Sequence, residues 1–344
     1  MARVRAFTLL LTLWLPAAAV LAQDGVVRGP VMQAVLDRGH LNCGVPFEYP
    51  GFGIIDDAGV FEGVDVDICR AIAVAIFGDA DAITFRPLRG VERQAAIQGG
   101  EVDVISRLTT RTLSRDTTWG VIYGPTTYFD GQGIGTRAEY GISTIDELDG
   151  AAICVQHGTT TELNITDATS ARGLDIAILG YPDLTSTFHA YLEGRCEAWT
   201  ANRASIIGLH TTSSDPAAHV ILDILLSKEP GTPLSPQSDP QFAKVIAWTI
   251  FGLFSAEEHG ITGANVDDFL GSDDPAIQRL LGQGGNASGS YLGLANDFMV
   301  EVVRQVGNYG EIFARNLSVP PFNLERGINA LWTDGGLMYA PPFR

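Results

Sequence analysis

The sequence predicts an α/β protein built from two similar lobes, and three observations carry that expectation. Residues 41 to 105 run strand, helix, strand, helix, strand, the order of a parallel sheet covered on both faces. From Tyr128 the pattern restarts and passes through a second series of the same kind. The two series also share their punctuation. Ala96-Ile97-Gln98-Gly99-Gly100-Glu101-Val102-Asp103-Val104 and Tyr191-Leu192-Glu193-Gly194-Arg195-Cys196-Glu197-Ala198-Trp199 both read helix end, glycine, acidic residue, buried strand. Each lobe is thus expected to present strand-end loops to a shared cleft, where open α/β sheets hold their ligands.

The chain begins with Arg3 and Arg5, an apolar run from Ala6 to Val20 and small residues at Val20 and Ala22. That is the pattern of a secretory signal peptide over residues 1–22, cleaved after Ala22. Its apolar run is broken by Pro16, and no later stretch is long and apolar enough to cross a bilayer. Removing 22 of 344 residues leaves 322, a length that suggests two domains at about 150 residues each. An exported protein is the expectation.

Leu41 to Val45 reads as the first strand, followed by an aromatic loop, Pro46-Phe47-Glu48-Tyr49-Pro50-Gly51-Phe52. A turn at Asp56-Asp57-Ala58-Gly59 leads to Phe61-Glu62-Gly63-Val64-Asp65-Val66-Asp67, and Ile68 to Phe77 has helical apolar spacing. Asp65 and Asp67 read as polar positions opening that helix, rather than as an acid/base pair. A strand at Ala82 to Arg86, a helix at Val91 to Gln98 and a strand at Val102 to Ile105 complete the first series. Asp130-Gly131-Gln132-Gly133 reads as a flexible crossover. In the second series come a strand to Val155, a Gly-Thr-Thr helix start at Gly158, a helix at Thr185 to Leu192 and a strand at Glu197 to Thr200. A long apolar helix from Gln241 to Ala256, with Trp248 and Phe251 expected in the core, opens the last third. Asp273-Asp274-Pro275 starts another helix, and Phe298 to Val306 and Ile312 to Leu317 are helical. The proline- and aromatic-rich end from Ala330 to Arg344 is expected to pack back on the first lobe. The expected division is residues 23–128 for lobe one, 129–225 for lobe two, and 226–344 returning to lobe one with a helical extension.

Forty acidic against 22 basic residues give a formal charge of −18, a surface that repels nucleic acid and anionic lipid. Positive charge must then be placed locally where an anion is to be held. Cys43, Cys69, Cys154 and Cys196 are an even set in an exported chain, and the pairs Cys43–Cys69 and Cys154–Cys196 are each local to one half. No two are at CxxC spacing and the six histidines show no HxxxH or HExxH, so no metal site and no cofactor is expected.

The stretch Ser106-Arg107-Leu108-Thr109-Thr110-Arg111-Thr112-Leu113-Ser114-Arg115 follows a buried strand and combines hydroxyls with arginines. An arginine fork grips a carboxylate with two parallel hydrogen bonds, and threonines satisfy its remaining lone pairs. The Thr159-Thr160-Thr161 run after Gly158 offers the free N–H groups of a helix start to the same anion. Arg107 and Arg111 are expected at the surface or behind the site, and His157 on an exposed loop.

In their order behind a signal peptide, several stretches resemble the periplasmic substrate-binding components of polar or general L-amino-acid ABC importers (solute-binding protein family 3). They are Gly63-Val64-Asp65-Val66-Asp67, Gly100-Glu101-Val102-Asp103-Val104, Thr112-Leu113-Ser114-Arg115-Asp116, Val155-Gln156-His157-Gly158-Thr159-Thr160-Thr161-Glu162, Val306-Gly307-Asn308-Tyr309-Gly310-Glu311 and Ala330-Leu331-Trp332-Thr333. The resemblance spans essentially the mature chain and implies a two-lobed periplasmic-binding-protein fold with a two-segment hinge. It also implies a membrane permease as partner, a monomeric state and a periplasmic location. Carried over residue by residue, Arg115 pairs with the ligand α-carboxylate, helped by Thr110 and Thr112, and Thr159 and Thr160 approach from lobe two. Tyr49 and Phe52 would stack on the ligand. Where the family usually has a carboxylate for the ligand ammonium, this chain has Asn202, which accepts a hydrogen bond but brings no charge.

Two other classes compete with a receptor of a small amino acid. The scaffold could bind a small carboxylate that is not an amino acid, or carry a dehydratase-like enzyme, which would need a poised acid or base. Glu48 and His157 are the candidates near the loops, and neither has an evident partner in the sequence. A sensory module is the third reading, without a linker or extra domain to support it.

Overall fold

The computed structural model describes residues 28–285 and 288–344. The expected signal peptide lies outside the described residues. Two five-stranded sheets organise the chain. In the first, the strand Leu41–Val45 pairs in parallel with Ile83–Pro87 on one side and with Val104–Ile105 on the other. Leu234–Pro236 then runs antiparallel between Val104–Ile105 and Val121–Tyr123. The second sheet repeats the plan: Ala152–Gln156 lies parallel between Ala177–Tyr181 and Ala198–Asn202, and Gln132–Arg137 is antiparallel to Ala198–Asn202 and His219–Ile221. A two-stranded ribbon, Tyr128–Asp130 with Glu229–Gly231, carries the chain out of the first unit and back.

Parallel strands need both faces covered, and the central strand shows it: Leu41, Cys43 and Val45 are all fully buried. The helix Val64–Phe77 covers one face and is itself buried nearly all round, down to Asp65 and Asp67 in its first turn. Its entry depends on Gly63, whose φ of 137° favours glycine and where a Cβ would stand 2.2 Å from the Phe52 carbonyl carbon. Cys69 on this helix is bonded to Cys43 in the sheet, and Cys154 to Cys196 in the second unit.

The long helix, Pro240–Glu258, starts with Pro at its first position and is capped by Asp239, whose carboxylate accepts from Phe242 N and Met32 N at 2.9 Å each. It lies against Val64–Phe77, as do Phe298–Val306 and Tyr309–Leu317, so the C-terminal helices pack on the first sheet's unit. Trp248 and Phe251 differ from expectation: both are half-buried at the edge of the core, because Trp248 takes the ring of Phe343 from the tail at 5.0 Å. Tyr309 donates its hydroxyl to Thr127 O, tying that helix to the crossover. Among the described residues no helix is long and apolar enough to cross a membrane.

Asp130-Gly131-Gln132-Gly133 ends one strand and begins the next. Gly131 serves close approach: a Cβ there would meet the Leu225 side chain and Ser227 O within 2.9 Å.

Candidate functional site

The loop after the short strand Val104–Ile105 is held from beneath. Ser106 donates to Asp65 Oδ1 at 2.7 Å, and Leu108 adopts a φ of 41°, one of two positive values at non-glycine residues among those described. A left-handed leucine is strained, and such strain gathers where a loop must aim its side chains. Here it separates Arg107 from the threonines. Arg107 donates Nε to Leu88 O at 2.5 Å and lies over the Tyr49 ring at 4.8 Å. Thr110 donates to the Glu229 carboxylate, and Thr160 of the second unit donates to the same carboxylate at 2.9 Å.

Thr112 caps the short helix Leu113–Thr118, accepting from Arg115 N at 3.2 Å. That cap fixes Arg115, whose Nη1 donates to Thr110 O at 3.0 Å and whose guanidinium lies 5.2 Å over Trp119. Arg93 lies over the same ring at 5.7 Å and donates to Gly90 O at 2.8 Å and to Thr109 Oγ1 at 3.3 Å.

The second unit faces these groups with Gln156 at a strand end and with the start of the helix Thr160–Arg172. Thr159 caps that helix, accepting from Glu162 N at 3.3 Å while donating to Gln156 O at 2.7 Å. Direct bonds cross the gap: Tyr49 Oη donates to Gln156 Oε1 at 2.8 Å, and Glu48 accepts from Leu184 N and Thr185 N at 3.2 and 3.4 Å. The latter places a carboxylate at the positive end of the helix Leu184–Leu192. Arg89 stands 3.6 Å from Asp183 across the same gap.

One cavity between the units is therefore lined by Tyr49, Arg93, Arg107, Leu108, Thr110, Arg115, Gln156, Thr159, Thr160, Thr161, Leu184, Ala201 and Asn202. No carboxylate is in that lining. Burial pushes the Arg115 pKa below its ordinary value; Arg93 is pushed well below, by burial first and then by Arg115 and Arg107. Burial also raises two neighbouring carboxyls, Asp65 and Asp130, to about 7.

Of the sequence-expected residues, Tyr49, Thr110, Arg115, Thr159, Thr160 and Asn202 meet at this cavity. Phe52 does not: it is 1 % exposed and packs edge-on against Tyr128 at 4.8 Å, because Gly63 draws its backbone down onto the helix start. Thr112 serves the helix cap and stands outside the lining. Arg107, expected at the surface or behind the site, is 3 % exposed and lines the cavity itself. Arg93 and Gln156 had gone unread, the first for lack of any local signal and the second although it sits in a quoted motif. Arg111 is exposed and paired with Asp116 at 2.7 Å. His157 is exposed and bonded to Glu162 at 2.8 Å. Among the described residues no cluster of His, Cys, Asp or Glu could hold a metal ion.

Residues 41–281 match the model of the bacterial extracellular solute-binding proteins, family 3. The general L-amino acid-binding periplasmic protein AapJ of Rhizobium johnstonii is 42% identical over 330 residues, 95% of this chain and 97% of that protein. The glutamate/glutamine/aspartate/asparagine-binding protein BztA of Rhodobacter capsulatus is 39% identical over 329 residues, 94% of this chain and 97% of that protein. A solved periplasmic binding protein from Brucella ovis, with glutathione bound, superposes with a TM-score of 0.88 at 44% identity, covering 91% of this chain and 99% of that one.

Proposed function

The chain belongs to family 3 of the bacterial extracellular solute-binding proteins, and from that premise we propose that it is a periplasmic receptor for an ABC importer. It is a solute-binding protein and not an enzyme. In this reading residues 1–22 direct export. Residues 23–128 and 226–344 form the first lobe, and residues 129–225 form the second. A single chain captures an amino acid and presents the closed lobes to the membrane permease.

The observation that carries the reading is that Arg115 from one unit and Thr160 from the other line one buried space. A carboxylate leaves water at high cost unless it is paired and hydrogen-bonded. Arg115 supplies the pairing for the ligand α-carboxylate, the backbone N–H groups at the start of the helix Thr160–Arg172 the further donors, and Thr110, Thr159 and Tyr49 the walls. Donors drawn from both lobes make the ligand the link that favours closure. The names of AapJ and BztA support an amino acid, and the glutathione in the Brucella ovis protein supports including small peptides among the candidates.

The test is thermal shift followed by calorimetry on the secreted chain, against the L-amino acids, glutathione and simple carboxylates without an amino group. At least one amino acid or glutathione should raise Tm and bind stoichiometrically. Stabilisation by simple carboxylates alone would point to the other binding class.

A further inference from the structure

The cavity holds more positive charge than a single carboxylate requires. Arg93, Arg107 and Arg115 line it, at 4, 3 and 8 % exposure, with no carboxylate beside them in the lining. Three buried guanidiniums repel one another and have lost water, an arrangement that favours more than one negative group between them.

The nearby carboxylates are engaged elsewhere. Glu48 forms a buried ion pair with Arg107 Nη2 at 3.9 Å, too long for a hydrogen bond, while its hydrogen bonds come from Leu184 N and Thr185 N of the second unit. Glu229 sits behind Thr110 and Thr160, also held by Asn164 and Ser227. Asp65 accepts from Ser106 through Oδ1 alone, its Oδ2 being buried without a hydrogen-bond partner and outside the cavity lining, and Asp130 is held by the backbone of Gly131 and Ala204.

Two buried donors in this lining lack a hydrogen-bond partner: Arg107 Nη2 and Gln156 Nε2. Gln156 spends its oxygen on Tyr49, which fixes the amide so that only its NH2 group is left to give. Arg107 is braced on Leu88 O and the Tyr49 ring, whereas Arg115 is braced on Thr110 O and Trp119. Unmade bonds from buried donors are expensive, and a carboxylate answers both at once.

We propose that Arg107 and Gln156, backed by Arg93, form a second anion site in the cleft, so that the ligand carries two carboxylates and a net negative charge. This rests on the receptor reading and adds the substrate class. Asn202 fits it, since a ligand whose anionic groups meet three guanidiniums depends less on a charged partner for its ammonium. Free acidic amino acids and γ-glutamyl peptides share this chemistry.

The test is calorimetry of the full secreted chain with L-glutamate, glutathione and L-glutamine, the last being the neutral match of the first. One of the two acids should bind at least ~30-fold more tightly than glutamine. Glutamate tightest identifies a free amino acid as the source, and glutathione tightest a γ-glutamyl peptide; either supports the second site. Arg107→Gln should cost the acid about tenfold or more and glutamine less than about threefold. Glutamine bound as tightly as both acids overturns the second site and leaves the receptor standing. Absence of binding by every amino acid and by glutathione removes both.

Discussion

Tyr49 and Gln156 meet across the cleft, hydroxyl to amide oxygen at 2.8 Å, and both side chains are buried. One belongs to the aromatic loop of the first unit and the other to a strand end of the second. Closure is therefore supported by protein contacts as well as by ligand. Tyr49→Phe keeps the ring under Arg107 and deletes only this bond. Its net worth of about 1 kcal/mol predicts an affinity lowered roughly fivefold, with the ligand-free variant more open by small-angle scattering. Unchanged affinity would remove this bond from the closing equilibrium.

Arg115→Ala should abolish measurable binding, a loss of at least ~100-fold, because it strips a buried carboxylate of its ionic partner. Circular dichroism should show the fold retained. Wild-type affinity by calorimetry would place the α-carboxylate elsewhere.

Asn202→Asp should tighten binding of neutral zwitterionic amino acids by about tenfold, since it restores a charge opposite a desolvated ammonium. Asn202 lines the cavity at the end of the strand Ala198–Asn202, so the change is nearly isosteric. A ligand screen without any gain would count against an ammonium at that position.

A fourth prediction concerns stability alone. Trp199 Nε1 donates to His210 Nε2 at 3.0 Å, and burial, aided by His219, pushes the His210 pKa down to about 3. A depressed histidine means that the unfolded chain takes up the proton first. Stability is thus intact above the unfolded pKa near 6.5 and is lost as pH falls from there toward 3, by up to ~1 kcal/mol per pH unit. His210→Gln can still accept from Trp199 and does not titrate. Its urea-unfolding free energy should fall less steeply than the wild type's between pH 6.5 and 4, with Asp65 and Asp130 common to both proteins. Parallel pH profiles would show that His210 is solvated.

Much of the scaffold was legible from local pattern. Leu41–Val45 and Phe298–Val306 appear at the expected bounds, because apolar spacing and glycine stops agree there. The threonine and arginine loop was legible as chemistry, since Arg115 and Thr110 are the residue types an anion needs. Which arginines face inward was not. Arg107 turns into the cleft through the left-handed Leu108 and through Leu88 O, a residue 19 positions away. Arg93 is placed at the site by Gly90 O, by Thr109 and by Trp119, which lies beneath both it and Arg115. Gly131 read as slack, although Leu225 and Ser227 O leave no room for a side chain there.

Each of the two cystine bridges joins a sheet strand to a neighbouring element of its own unit, Cys43 to Cys69 and Cys154 to Cys196, and neither spans the gap. Oxidation can therefore stiffen both shells while leaving the jaws free to swing. Reduction, which must first expose these buried sulfurs, would soften the shells without unlocking a covalent clasp, because none fastens them together.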